Sequence, residues 1–147
     1  MEYVVHGSLL DWGQRQTVIK ESTVVYIMKQ LVQGVNYLHK QGICHRDLKP
    51  DNILVEDFNI KEDPYVKLTD FGYATLFKQD QETMHEDVTL GTLYYMAPEL
   101  LLDQTHDEKV DVWALGCIAA QLLCQGSSIF HGNNNEETIS NILADNL

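Results

Sequence analysis

The sequence has no stretch of 18 apolar residues, so it offers no helix that would span a bilayer. Its opening, Met1-Glu2-Tyr3, lacks the basic start and apolar run of a secretory leader. Cysteine is scarce and odd in number: Cys44, Cys117 and Cys124. Their apolar surroundings argue against a disulfide framework or a metal set. They predict buried thiols in a reducing compartment, hence an intracellular, cytoplasmic protein. Positive charge is scarce as well. Ten Lys/Arg face 22 Asp/Glu, for a net charge of −12, which argues against nucleic acid as a partner. The deficit is uneven. Residues 1–50 carry six basic and four acidic side chains, whereas residues 51–147 carry four and eighteen. An acidic face would suit a basic peptide, but solubility is the simpler reading and the preferred one.

What the chain does have is length and order. Its 147 residues, 44% of them apolar, suffice for one domain with a real core. The strongest signal is His45-Arg46-Asp47-Leu48-Lys49-Pro50-Asp51-Asn52. Four of these eight are charged at neutral pH, and they lie between an apolar helical stretch and the apolar run Ile53-Leu54-Val55. A solvated loop needs no such placement. A loop that must aim an acid, a cation and an amide at one point does. Asp70-Phe71-Gly72 follows a strand-like run, and Ala97-Pro98-Glu99 closes the thirty residues that begin at Asp70. That span has little periodicity, and a segment so long without an element of its own is usually functional or mobile. Each triplet alone is a turn or a helix start. In this order, with Asp47 five residues before Asn52, they define a site.

Together the three motifs resemble the signature set of eukaryotic protein kinases. Lys49-Pro50 and Gly91-Thr92-Leu93-Tyr94-Tyr95 resemble the serine/threonine branch. The resemblance runs from Met1 to about Leu147. It implies an α+β, mostly helical fold, the C-terminal lobe of a kinase, with a hinge over 1–7, a catalytic loop over 45–52 and an activation segment over 70–99. It also implies transfer of the ATP γ-phosphoryl group to Ser or Thr hydroxyls of a protein substrate, with ATP and Mg2+ as cofactors and no membrane or nucleic-acid partner.

The same resemblance assigns roles residue by residue. Asp47 accepts a hydrogen bond from the substrate hydroxyl and orients it. Lys49 sets a cation by the transferring group. Asn52 and Asp70 are the magnesium ligands, a hard-oxygen pair that phosphates and waters complete. Thr92 steadies Asp47 and Lys49. Hinge backbone near Glu2 and Val4 holds the adenine, Leu54 floors it, and Met1 guards the pocket behind. Ser8 stands where many relatives have an acidic ribose ligand, so ribose contact is weaker or comes from Asp11. Phe71 packs as an apolar anchor, and Gly72 permits the backbone of the metal loop. Arg46 pairs with a phosphate on the activation segment. Thr89 is the candidate phosphosite, and Glu86-Asp87 could partly stand in for the phosphate. His45 supports the loop backbone, and Asp111 ties that backbone to a central helix.

Periodicity supplies the frame. Ser8 and Asp11 are spaced as a capping-box variant for a short helix. Ser22 is expected to cap the next, which runs to about Gln41 with Val24, Met28, Leu31, Val35 and Leu38 on one face and Gly42 as its stop. Ile53-Leu54-Val55 and Tyr65-Val66-Lys67-Leu68 predict a hairpin joined by a long polar turn, Glu56 to Pro64. Asp107 can cap a helix from about Glu108 to Gln125. It is apolar on nearly every face (Val110, Val112, Trp113, Leu115, Ile118, Ala119, Leu122, Leu123), hence buried. Asn134 or Asn135 can cap a last helix near Glu136.

No Gly-x-Gly-x-x-Gly and no Val-Ala-x-Lys occur. The family's phosphate-holding lysine, its glutamate partner and the arginine that pairs with Glu99 are therefore expected to be missing, leaving a lobe cut at both ends. Two readings stay open: part of a serine/threonine kinase, or a non-catalytic kinase fragment that acts as a binding or regulatory module.

Overall fold

The computed structural model describes residues 7–58, 64–76 and 93–144. Ser8 opens helix α1 (Leu9–Gln14) with a full capping box: its Oγ accepts from Asp11 N, and the Asp11 carboxylate accepts from Ser8 N in return. Helix α2 (Glu21–Lys40) begins one residue before Ser22, after Lys20, with no side-chain cap. Ser22 therefore sits in the first turn, and the expected cap is not made. Gly42, at φ 78°, takes the left-handed stop after α2.

α2 buries Val24, Ile27, Leu31 and Val35. The expected stripe differs at two positions: Leu38 is only partly buried, and Ile27 is fully covered where Met28 is only partly so. Ile27 and Met28 lie three and four residues after Val24, so periodicity alone could not separate them. This face packs on helix α4 (Lys109–Leu123), whose Ala114, Leu115, Ile118 and Leu122 complete the core. α4 is not buried all round. Val112 is 56% and Leu123 52% exposed among the described residues. Asp107 does accept from Lys109 N at 2.9 Å, but the residue at the cap position is Glu108.

Two small antiparallel sheets hang on this helical pair. β1 (Ile43–Cys44) pairs with β4 (Thr75–Leu76), and β2 (Ile53–Phe58) pairs with β3 (Pro64–Leu68). The hairpin is longer than expected, since Glu56 to Phe58 and Pro64 belong to strands. Gln30 of α2 explains part of this: its Nε2 donates to Pro64 O at 3.1 Å and its Oε1 accepts from Val66 N at 3.2 Å. A helix side chain thereby satisfies the free edge of β3. Lys67 and Glu56 add a cross-strand ion pair. Helix α3 (Pro98–Leu101) starts with proline in its first turn. Helix α5 (Asn135–Leu143) is capped by Asn134, whose Oδ1 accepts from Glu137 N at 2.8 Å. The architecture is thus α+β and mostly helical.

The cysteines divide. Cys44 and Cys117 are buried, and Cys124, expected to be buried, is exposed just past the end of α4. Burial pushes the Cys117 thiol up to about 12. Burial first, and the Asp111 charge second, raise Cys44 further. At pH 8 a thiol reagent should label Cys124 of the native protein and leave the other two unmodified. Labelling of Cys44 or Cys117 ahead of unfolding, read by peptide mass spectrometry, would contradict this burial.

Candidate active site

The site is assembled from backbone outward. Asp111, in the first turn of α4, is 1% exposed. Its Oδ2 accepts from His45 N and its Oδ1 from Arg46 N, each at 2.9 Å. Two successive amides of the loop are thus held by one carboxylate, which is the tie expected of this residue. Arg46 sits at φ 64°, a left-handed conformation that L-residues avoid, and this pair of bonds accounts for its persistence.

His45 is fully buried and works as a strut. Its Nδ1 lies 3.4 Å from Asp47 N and its Nε2 3.0 Å from Thr69 O. An amide N–H can only donate, so Nδ1 carries the lone pair and Nε2 the proton. One neutral ring therefore joins the loop to the end of β3. A second join is backbone to backbone: Thr69 N donates to Asn52 O at 3.0 Å, just beyond the Ile53–Leu68 pair of the hairpin. Together they place Asp70 next in line after the residue that faces Asn52.

The polar groups then converge. Asn52 Nδ2 donates to Asp47 Oδ2 at 2.8 Å and to Asp47 O at 2.9 Å. Lys49 Nζ stands 3.0 Å from the same Asp47 Oδ2. Asp47 and Asn52 are buried, while Lys49 is partly exposed. Both Nδ2 hydrogens of Asn52 are spent on Asp47, so anything it offers to a ligand comes from Oδ1. Asp70 is exposed at φ 60°, and its Oδ1 accepts from Gly72 N at 3.3 Å. Asp tolerates this backbone better than most residues because its short side chain bonds locally. A carboxylate and an amide oxygen are hard donors of the kind magnesium prefers, so this pair fits the ion. Among the described residues no cluster of three His, Cys, Asp or Glu could hold a metal by itself.

Other expected positions fall as follows. Ser8 bridges to Leu54, and Val55 N donates to Gly7 O at 2.9 Å, so the start of α1 lies against β2. One oxygen of Asp11 is committed to the cap. The Ser8 backbone N–H, then its hydroxyl, hold this exposed carboxyl below its usual range. Phe71 is not an apolar anchor: it is 47% exposed and leans on the His45 ring at 4.9 Å between centroids. The guanidinium of Arg46 donates from Nε to Tyr73 O at 2.8 Å. Glu2, Val4, Thr92, Thr89, Met1 and Glu86-Asp87 lie outside the described residues.

Two contacts were missed in the sequence. Tyr95 Oη donates to Gln121 Oε1 at 2.6 Å, and Gln121 Nε2 donates to Gly126 O at 3.0 Å. A lone glutamine in the apolar run of α4 was the available signal. Burial first, and the Asp51 charge second, raise the Tyr95 phenol above its ordinary range. The other contact is His39, whose Nε2 lies 2.8 Å from Asp111 Oδ2.

The described site is thus a buried acid with a cation and an amide against it on one loop, and an exposed carboxylate just past the hairpin. The protein kinase domain model matches residues 1–146. The chain belongs to the protein kinase family. It is 41% identical over 138 residues to calcium-dependent protein kinase 4 of Plasmodium falciparum, covering 94% of this chain and 25% of that protein. It is 35% identical over 147 residues to an Aurora kinase of Eremothecium gossypii, covering all of this chain and 38% of that one. It is 36% identical over 123 residues to the human putative 3-phosphoinositide-dependent protein kinase 2, covering 84% of this chain and 30% of that one. The chain thus spans well under half the length of these curated relatives.

Asp111→Asn keeps one carbonyl oxygen for one loop amide and turns an N–H toward the other. It should lower unfolding stability by about 2–4 kcal/mol, the scale of a charge-assisted bond lost plus a buried donor left unpaired. Urea denaturation would measure it, and a loss under about 1 kcal/mol would contradict the tie.

Proposed function

We propose that this chain carries the phosphoacceptor half of a serine/threonine protein kinase site, acting within a complete kinase domain. The observation that carries the reading is the Asp47–Asn52–Lys49 cluster, in which one carboxylate is held by an amide and a cation on a loop fixed to α4. Asp47 would accept the hydrogen bond of a substrate Ser or Thr hydroxyl and aim its oxygen. Lys49 would stand by the group being transferred. Asn52 Oδ1 and Asp70 would hold magnesium, with ATP phosphates and water supplying the remaining oxygens. The bound ion would neutralise phosphate charge. Leu54 and the backbone near Glu2 and Val4 would receive the adenine, and Ser8 or Asp11 the ribose. Thr92 would steady Asp47 and Lys49.

A protein with an exposed Ser or Thr is the partner this reading requires. Among the described residues no helix is long and apolar enough to cross a membrane. Free, buried thiols at Cys44 and Cys117 fit a reducing, cytoplasmic setting.

In the complete polypeptide that bears this sequence, Asp47→Asn should lower kcat by about 10²–10⁴-fold and leave ATP affinity unchanged. Unaltered turnover in a radiolabelled-phosphate assay would sink the role of Asp47. Asp70→Ala should abolish the magnesium-dependent part of nucleotide binding. Titration calorimetry with and without Mg2+ reads that difference directly, and a persisting magnesium effect would remove Asp70 from the metal site.

A further inference from the structure

The loop between α4 and α5 is fixed at four successive residues. Phe130 is buried, and its ring stacks on Trp113 of α4 with centroids 5.6 Å apart and planes 10° off parallel. His131 O accepts from Asn141 Nδ2 of α5 at 3.1 Å. A Cβ at Gly132 would meet Thr138 N at 2.5 Å, so glycine is what lets the chain pass this close to α5. Asn133 donates to the Glu137 carboxylate from its backbone N at 2.8 Å and from Nδ2 at 2.7 Å. None of these contacts uses the His131 ring, which is exposed on a backbone held at every neighbouring position. Its Nδ1 lies 3.3 Å from Tyr94 Oη, with the two rings 6.0 Å apart and tilted by 42°.

Tyr94 lies in a turn that Met96 N closes by donating to Leu93 O at 3.1 Å. Leu93 is buried beneath it, and Tyr95 is tied to α4 through Gln121. The Asp51 charge reaches the Tyr95 phenol, so the turn borders the loop that carries Asp47. Two neighbouring hydroxyls thus pin one turn from two sides, Tyr95 by a short buried bond and Tyr94 by a longer exposed one. Either ring tautomer serves: Nδ1 with a lone pair accepts from the phenol, and Nδ1 with a proton donates to its oxygen. A Ser or Thr aimed at Asp47 belongs to a polypeptide, and that polypeptide must cross the surface around Asp47, of which this turn is part. We propose that His131 is a positioning residue for the protein substrate: through Tyr94 it holds the turn 93–96 in place at the edge of the Asp47 loop. The substrate role rests on the phosphotransfer reading above. The latch between the two side chains does not.

The test uses His131→Phe, His131→Asn, Tyr94→Phe and the double Phe variant, all in the complete polypeptide. Each Phe keeps a ring and deletes the bond, whereas the Asn amide stands where the ring Nδ1 stood. Native-state hydrogen exchange at the Met96 amide is the first readout. It should rise about threefold or more in either Phe variant and stay near wild type in Asn. Both Phe variants remove the same bond, so the double variant should match either single. Should Tyr94→Phe fail to fold, the two His131 variants carry the comparison. The second readout is steady-state transfer to myelin basic protein. KM for that acceptor should rise about threefold to tenfold in His131→Phe and recover in Asn, with KM for ATP unchanged. Wild-type exchange in every variant would overturn the proposal. So would equal loosening in Asn and Phe, because ring packing and not the hydrogen bond would then be responsible, and so would effects that multiply in the double variant. An exchange pattern as expected with an unchanged acceptor KM would overturn the substrate role. If that pattern holds while the wild type shows no transfer, the latch stands and the substrate role falls with the phosphotransfer reading.

Discussion

One buried carboxylate sets the geometry of everything around it. Asp111 holds the amides of His45 and Arg46 from a helix whose inward face forms part of the core. The arrangement is asymmetric in energy. Made, each bond contributes a modest net stabilisation. Broken, each leaves a buried donor or a buried charge without a partner, which costs more than the bond contributed. The loop is therefore held by the penalty for leaving as much as by the attraction for staying.

From that anchor the remaining contacts follow in sequence. Arg46 takes a left-handed backbone, which turns Asp47 inward. The His45 ring then spans from Asp47 N to Thr69 O, and Thr69 N returns to Asn52 O. Asn52 closes the circuit by donating twice to Asp47. Each element that bears a reactive side chain is thus tied to another by a backbone group, so the loop and the hairpin share one frame. Asp70, the other left-handed residue of the site, lies just past that frame with its carboxylate exposed. Backbone strain gathered at a site of this kind is characteristic of preorganised chemistry.

Much of this was legible along the chain. The eight residues from His45 to Asn52 have a spacing that admits few uses, and Asp70 and Ala97-Pro98-Glu99 follow in the right order. The Ser8–Asp11 box and the Gly42 stop are local, so local chemistry named them correctly. What stayed hidden was set at long range. Ile27 and Met28 lie three and four residues after Val24, and only the position of α4 decides between them. Ser22 looked like a cap, but the chain enters α2 one residue earlier. Val112 and Leu123 read as core because they sit in an apolar helix, yet the described residues leave them exposed. β3 runs on to Pro64 because Gln30, 34 positions away, satisfies its edge. His39 reads only as a structural histidine, and Gln121 stands out only as a polar residue in an apolar run, until their partners, Asp111 and Tyr95, are seen beside them.

The proposed phosphotransfer role requires that Asn52 and Asp70 share one bound divalent ion with Asp47 beside it. The most direct measurement is paramagnetic line broadening in the complete polypeptide, with Mn2+ added in the presence of a non-hydrolysable ATP analogue. The account predicts that the amide signals of Asp47, Asn52 and Asp70 broaden together, while those of α5 stay sharp. Broadening spread evenly over the chain, or signals of these three residues left sharp, would contradict it.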